Sequence, residues 1–344
     1  MWPHPSDLRD RPLGPPDPGV ERQNVASGMS VRGLDNHDQE AIAELRRATA
    51  RADVTDGGLI VVEPPPDALF SGPTPYDDTV VVRDDEGRIL ATAQLQAEIG
   101  PQQSFIWSFP TVRPEGRGTS IERLLLERLW QRASERLSEI PSELVYFYVH
   151  CGAHQGERIA LYESFGLRLM RSRPHMVYYP LENLTRPQVP PGIELRPYSR
   201  GADDESAVDT LDQAFADDPE YVPLTRDGWL LWLDAPQWRD DLSLVAADGD
   251  QVVGLCLCLI NDERIKWMGR RDGYVDTLCV RPSHQRRGAG AALLLAGLRA
   301  LRKAGMVSAT LETDEDNPTQ ALRFYQQLGF REVWRWSAYG TELR

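Results

Sequence analysis

Lysine is almost absent from this 344-residue chain: Lys266 and Lys303 are the only two, and arginine supplies the rest of the 38 basic residues. Against 52 acidic residues these leave a formal net charge of −14. A chain of that sign repels phosphate backbones, so no nucleic-acid partner is expected without a local basic patch. Long apolar runs are also missing. The longest, Val252 to Ile260, suits a buried strand and falls far short of the ~18 residues that span a bilayer, so no membrane partner is expected. Cysteine is scarce, at Cys151, Cys256, Cys258 and Cys279, too few for a disulfide framework in a chain this long. Cys256 and Cys258 alternate along an apolar strand with no Cys or His nearby at ligand spacing, which predicts reduced core thiols and no metal. The first 28 residues hold six prolines and no apolar stretch of the kind a secretory leader carries. They read as a flexible tail, and a cytoplasmic location is the expectation.

With 41 % hydrophobic and 26 % charged residues the composition is that of a globular protein, and the length suits two domains. The segment "RPQVPPG", starting at Arg186, continues neither helix nor strand. It marks a linker at 186–191 between domains at 29–185 and 192–344. The two halves echo one another. "DEGRILATAQL" (85–95) and "DGDQVVGLCLC" (248–258) both read as a turn and a strand, 163 residues apart. "VRP" stands at 112–114 and again at 280–282; "RGTS" (117–120) and "RGAG" (287–290) each open an apolar helical pattern; "ALYESFGL" (160–167) answers "RFYQQLGF" (323–330). The same order of elements twice argues for two copies of one fold. In the second copy the pattern predicts strands at 244–247, 251–260, 274–280 and 307–313, helices at 290–303 and 318–328, a loop between 260 and 274, and a final strand from about 331. In the first, Asp35 is a candidate cap for a helix from Asn36 to about Ala50.

Two motifs carry chemistry. In "VDTLCVRPSHQRRGAG" (275–290) a strand ends, a basic loop turns and glycines open a helix, whose first unpaired N–H groups make an anion cradle. By itself this reads equally as a tight helix start with solvated arginines. In "LETDEDNPTQALRFYQQLGF" (311–330), Asn317 and Pro318 form a cap and first-turn pair. By itself that is a capped amphipathic helix with a core tyrosine.

Together the motifs resemble the GNAT superfamily of acyl-CoA N-acyltransferases, over roughly residues 192–340. The resemblance implies an α/β chain of two tandem GNAT-like domains, each a mixed, mostly antiparallel sheet flanked by helices, as in mycothiol synthases. It implies acetyl-CoA as the acyl donor and a small-molecule amine as acceptor. Gln285, Arg286, Arg287, Gly288, Ala289 and Gly290 would hold the CoA pyrophosphate. The backbone of Leu278, Cys279 and Val280 would pair with the pantetheine arm of the donor, and Asn317 would touch the cofactor. Tyr325 would protonate the departing thiolate, as a phenol of pKa ~10 can. The amide of Leu278 or Cys279 would serve the developing oxyanion. The family's base occurs at positions matching Tyr274, Asp276 and Glu312. The first is a tyrosine here, which leaves the carboxylates, Asp276 before Glu312; strand alternation predicts one face for Tyr274, Asp276 and Leu278.

The first half bears the signature in eroded form. Its loop is two residues shorter, Ser120 replaces Gly290, and no Asn-Pro pair precedes Tyr162. A structural lobe is expected there, with His150 and His154 as polar surface. Residues 203–220 hold eight acids and no Lys or Arg, which reads as a solvated face or as attraction for a cationic amine. Trp229, Trp232 and Trp238 follow as acceptor pocket or core. A non-catalytic acyl-CoA-binding module is the alternative to an enzyme.

Overall fold

The computed structural model describes residues 29–33, 38–55, 60–61, 78–218, 221–317 and 319–344. They form two compact units: 29–52, 78–171 and 336–344 in the first, 53–61 and 172–335 in the second. This division does not follow the linker expected at 186–191. A strand belongs with the edge whose N–H and C=O groups it satisfies. His175 to Tyr178 pair with Glu312 to Ala309 in the second unit, and Trp336 to Glu342 pair with Gly152 to Tyr146 in the first. The tail at 1–28 and the cap Asp35–Asn36 lie outside the described residues.

The described residues open with β1 (Met29–Gly33) and α1 (Gln39–Ala52), then a small antiparallel pair, β2 (Val54–Thr55) and β3 (Ile60–Val61), that falls in the second unit. The first unit continues with β4 (Thr79–Asp84), β5 (Ile89–Ile99), β6 (Gln103–Ser108), β7 (Thr111–Val112), α2 (Ser120–Arg136), β8 (Leu144–Gly152) and α3 (Gly156–Ser164). Its sheet runs β1-β4-β5-β6-β8 and is antiparallel except where β6 meets β8. The apolar stripe of α2, Leu125, Leu126 and Leu129, is fully buried against Val82, Ala93, Ile106 and Phe147.

β9 (Arg168–Tyr178) leads into the second unit, which holds β10 (Glu194–Pro197), α4 (Asp204–Phe215), α5 (Arg226–Leu233), β11 (Leu244–Asp248), β12 (Gln251–Leu259), α6 (Asp262–Met268), β13 (Asp272–Val280), α7 (Ala289–Lys303), β14 (Ser308–Glu312) and α8 (Ala321–Gln327). β15 (Arg331–Glu342) ends the chain's secondary structure. The sheet order is β10-β11-β12-β13-β14-β9, again antiparallel except for one parallel pair, β13 with β14. This is the mixed, mostly antiparallel architecture that the resemblance implies. α6 is the exception: it occupies the expected loop, started by Asn261, whose Oδ1 accepts from the Arg264 amide at 2.8 Å.

β12 carries apolar residues on both faces, so both faces are covered. Cys256 and Cys258 join the core under α7 and α8, while Leu255, Leu257 and Leu259 join a second core with α4, α5 and Trp229. α7 lies close to the sheet because Gly297 has no side chain; a Cβ there would come within 2.6 Å of Cys256 Sγ. All four cysteines are buried and unpaired. Among the described residues no helix is long and apolar enough to cross a membrane, and no group of three or more His, Cys, Asp or Glu is placed to hold a metal.

Candidate active site

β13 and β14 pair for only three residues, Asp272 with Ser308, Gly273 with Ala309 and Tyr274 with Thr310. Beyond that, among the described residues, β13 continues to Val280 against β12 alone, so a gap opens on its other side. Arg281 N–H donates to Val253 O at 2.8 Å. Since alternate residues of an antiparallel strand face the same neighbour, Cys279 also faces β12, and the N–H and C=O of Leu278 and Val280 face the gap. This separates the two expected oxyanion donors: the Leu278 amide faces the gap and the Cys279 amide does not. The Cys279 thiol is buried, which pushes it up to about 12.

At the far end of β13 the loop winds into α7. Arg286 (φ 61°) and Gly288 (φ 93°) both adopt the left-handed conformation. Arg286 has a Cβ and holds this conformation at a cost of roughly 1–2 kcal/mol. Strain of this kind is typical of functional loops. Gly288 stands at the N-cap with no side chain capping the helix, and the first intrahelical amide bond comes from Ala292 N to Gly288 O. The earlier amides of the turn are therefore left without helical partners. A Cβ built on Gly288 would meet only Pro190, at 3.8 Å, so the cradle has room. Arg286 and Arg287 are exposed beside it. Gln285, expected at the pyrophosphate, donates its side-chain amide to Val280 O at 2.9 Å and braces the start of the loop.

α8 brings Tyr325 into the core beneath α7, ringed by Phe324 and Phe330 and 7 % exposed. Burial pushes its phenol well above its ordinary value, and the Cys256 and Cys279 thiols push the same way. The group stays protonated, as a proton donor must. α8 starts at Ala321 with Gln320 at the cap position, three residues later than expected. Asn317 does not cap it; its Oδ1 accepts from the Thr319 amide at 2.9 Å and closes a turn before the helix. Pro318 lies outside the described residues.

The carboxylates sit at the mouth of the gap. Asp276 is the extra residue of a β-bulge: Thr277 pairs with Leu257 and Val275 with Cys258, leaving Asp276 between them. The bulge overturns the expectation of one shared face, because it resets the alternation. Tyr274 packs into the aromatic core with Trp229, and Leu278 into the core under α7. Burial raises the Asp276 carboxyl to about 6; Thr277 Oγ1, donating at 2.9 Å, opposes this and the charge of Glu312 adds to it. Glu312 behaves differently. Burial pushes it up, but the hydrogen bond and charge of His175, with Arg173 and Arg264, outweigh that and hold it below its ordinary value. His175 was not foreseen. It lies ahead of the linker in sequence, and only the pairing of β9 with β14 brings it to the site.

Other expectations resolve into structure. Four of the eight acids in 203–220 are spent on internal partners: Asp203 on Arg196, Asp204 on Tyr198, Asp209 on Arg281 and Asp212 on Tyr221. Trp229 and Trp238 are buried, with Trp232 packed on both. His150 is 6 % exposed and stacks on Phe109 at 4.3 Å, so it is not polar surface.

Residues 208–330 match the model of the Acetyltransferase (GNAT) family. A mycothiol acetyltransferase from Actinosynnema mirum is 30 % identical over 307 residues, 88 % of this chain and 95 % of that one. The chain belongs to the GNAT acetyltransferases. A second relative of this GNAT acetyltransferase, the mycothiol acetyltransferase of Saccharopolyspora erythraea, is 29 % identical over 74 % of this chain and 83 % of its own. A crystal structure of a GCN5-related N-acetyltransferase from Sphaerobacter thermophilus shares the fold, with a TM-score of 0.75 at 23 % identity over 92 % of this chain and 96 % of that one. So does a tandem GNAT protein from the clavulanic acid biosynthesis pathway, with a TM-score of 0.62 at 16 % identity over 91 % and 98 %.

Proposed function

We propose that this GNAT acetyltransferase moves an acetyl group from acetyl-CoA to a primary amine of a small molecule by direct attack, and that the second unit does so. The observation that carries this is the gap between β13 and β14, which runs from two carboxylates to a helix start with uncapped amides. The residues present fit the donor. Gly288 leaves the cradle open to phosphate oxygens, and Leu278 and Val280 turn backbone groups toward the gap, where a pantetheine arm would add like a strand. Acetyl-CoA supplies an acetyl group activated as a thioester. Gln285, Arg286, Arg287, Gly288, Ala289 and Gly290 would surround its pyrophosphate, and Asn317 would touch the cofactor. Tyr325 holds the proton for the leaving thiolate, the Leu278 amide faces the site of developing charge, and Asp276 accepts a proton from the amine. Direct transfer suits the thiols, which are buried and, at Cys279, raised to about 12; none is poised as a nucleophile. Unpaired cysteines also suit a reducing, cytoplasmic setting.

The test is free-thiol release from acetyl-CoA by the purified chain across a panel of amines that includes the unacetylated precursor of mycothiol. Release with at least one amine, saturable in both substrates, supports the reading. CoA binding by calorimetry without thiol release would favour the non-catalytic module.

A further inference from the structure

Asp276 and Glu312 stand in step across the gap. Tyr274 and Thr310 are the last paired residues of β13 and β14, and each carboxylate lies two residues further on. On the other side of β14, Glu312 is directly opposite His175 of β9. His175 Nδ1 lies 3.1 Å from Glu312 Oε1, and since a carboxylate only accepts, Nδ1 carries the shared proton. The order across the sheet is Asp276, gap, Glu312, His175. The His175 ring is 5 % exposed, and its Nε2 is buried without a partner among the described residues. A polar side chain is costly to bury half-satisfied, and the one side-chain hydrogen bond His175 makes among the described residues is to a carboxylate beside the proposed reaction.

We propose that His175 is a positioning residue for the proton acceptor: its hydrogen bond fixes Glu312, and with it a negative charge, across the gap from Asp276, which takes the proton when an amine attacks. The inference rests on the amine-acetylation reading above. In the step concerned, the amine N–H bond breaks and an O–H bond forms on Asp276, while the nitrogen keeps the electron pair with which it bonds to carbon. The carbon–sulfur bond breaks with its electron pair on sulfur, which takes the Tyr325 proton; Asp276 then releases its proton through water and Tyr325 regains one. The surroundings divide the two carboxylates by role. Asp276 faces the Thr277 hydroxyl on its own strand, Cys258 of β12, Tyr274 and Glu312. Glu312 faces His175 and Arg173 of β9, Arg264 of α6 and Tyr274; Arg173 is itself paired with Asp314 at 2.9 Å, and Arg264 lies 3.7 Å from Asp272. Glu312 is kept charged, and Asp276 is raised to about 6, close to working pH.

Carboxyl titration by NMR on the full chain, with ¹³C-labelled Asp and Glu, tests this without any acceptor. In Glu312→Gln the Asp276 midpoint falls below about 6, because the like charge is gone, but it stays above the ordinary carboxylate range, because burial, the larger cause, remains. In His175→Ala it is the last proton of the carboxylate pair that moves, and it moves the other way. Glu312 loses its donor, the two carboxylates titrate as a pair, and the last proton leaves at higher pH than in the wild type. His175→Gln, which keeps a donor, restores much of the wild-type curve. The acid limb of kcat/KM for an amine from the panel follows the same two opposite shifts. Folded variants whose Asp276 midpoint and acid limb both stay put would overturn the proposal and leave His175 a packing residue. Wild-type protein that releases no thiol with any amine overturns the acetylation reading instead, whatever the titration shows.

Discussion

The two units are built from the same parts, and they differ at the two places where a nucleotide thioester would have to enter. In the second unit β13 leaves β14 after three paired residues. In the first, the matching parallel pair, β6 with β8, stays paired for six, from Gln103–Leu144 to Ser108–Val149. In the second unit the helix start is uncapped and Gly288 is open. In the first, Thr119 caps α2 through the Ile121 amide, and Gly118 N–H donates to Glu122 Oε2 at 2.9 Å. Glu122 is 1 % exposed and also accepts from Arg158 Nε at 2.7 Å and the Tyr162 hydroxyl at 2.8 Å. Arg158 spends its other donors on Gln155, Pro110 O and Tyr162. A Cβ on Gly118 would run into Glu157 at 2.6 Å. The first unit thus carries its own anion inside the cradle, with that anion's counter-charge. A fold keeps such a helix start whether or not it binds a ligand, and what changes is who satisfies the amides.

That contrast can be broken from either side. The largest effect is expected at the tyrosines, which align in sequence but not in role. Tyr325→Phe removes the hydroxyl proposed as proton donor, and turnover should fall about 10²- to 10⁴-fold, with CoA affinity by calorimetry little changed. A full-rate enzyme would strip Tyr325 of the proton-donor role. Next comes the buried ion pair of the first unit. Glu122→Ala leaves Arg158 buried without its counter-charge and should cost about 3–5 kcal/mol in denaturant unfolding. Titration with CoA below the melting range should still give one site per chain, because β6 and β8 remain paired; a second site would show that the carboxylate alone closes the first unit.

The converse change brings to the second unit what the first has. Gly288→Glu sets a carboxylate in the open cradle, and CoA affinity should drop on the order of 10²-fold, as for a like charge placed in a binding site. Unchanged affinity in calorimetry would move the pyrophosphate elsewhere. The smallest effect is expected at Arg117, the first unit's counterpart of Arg287. Its Nε donates to Val112 O at 3.3 Å, a contact within its own loop. Arg117→Ala should change turnover less than about twofold and stability by about 0.5 kcal/mol or less. Loss of turnover in a folded Arg117→Ala protein would make the first unit a working site.

By itself the sequence determined the family, the doubling and the loop from strand to helix. Those are local signals: glycines where φ must be positive, apolar spacing on α7, a strand ending at "VRP". Through the resemblance of its two motifs it also nominated Asp276, Glu312 and Tyr325, whose roles remain proposals. Tertiary structure decided the rest, because it depends on pairing across long separations. The bulge at Asp276 is a register event between β12 and β13, and it put Tyr274 and Leu278 into different cores although alternation predicts one face. Asn317 lost its capping role because the helix starts at Ala321. His175 reaches Glu312 only through the pairing of β9 with β14, across 137 residues of chain. Glu122 reads as one more helical surface carboxylate until Arg158, 36 residues on, folds against it. A side chain's charge is written in the sequence, but what shares its space is settled by which strands and helices meet.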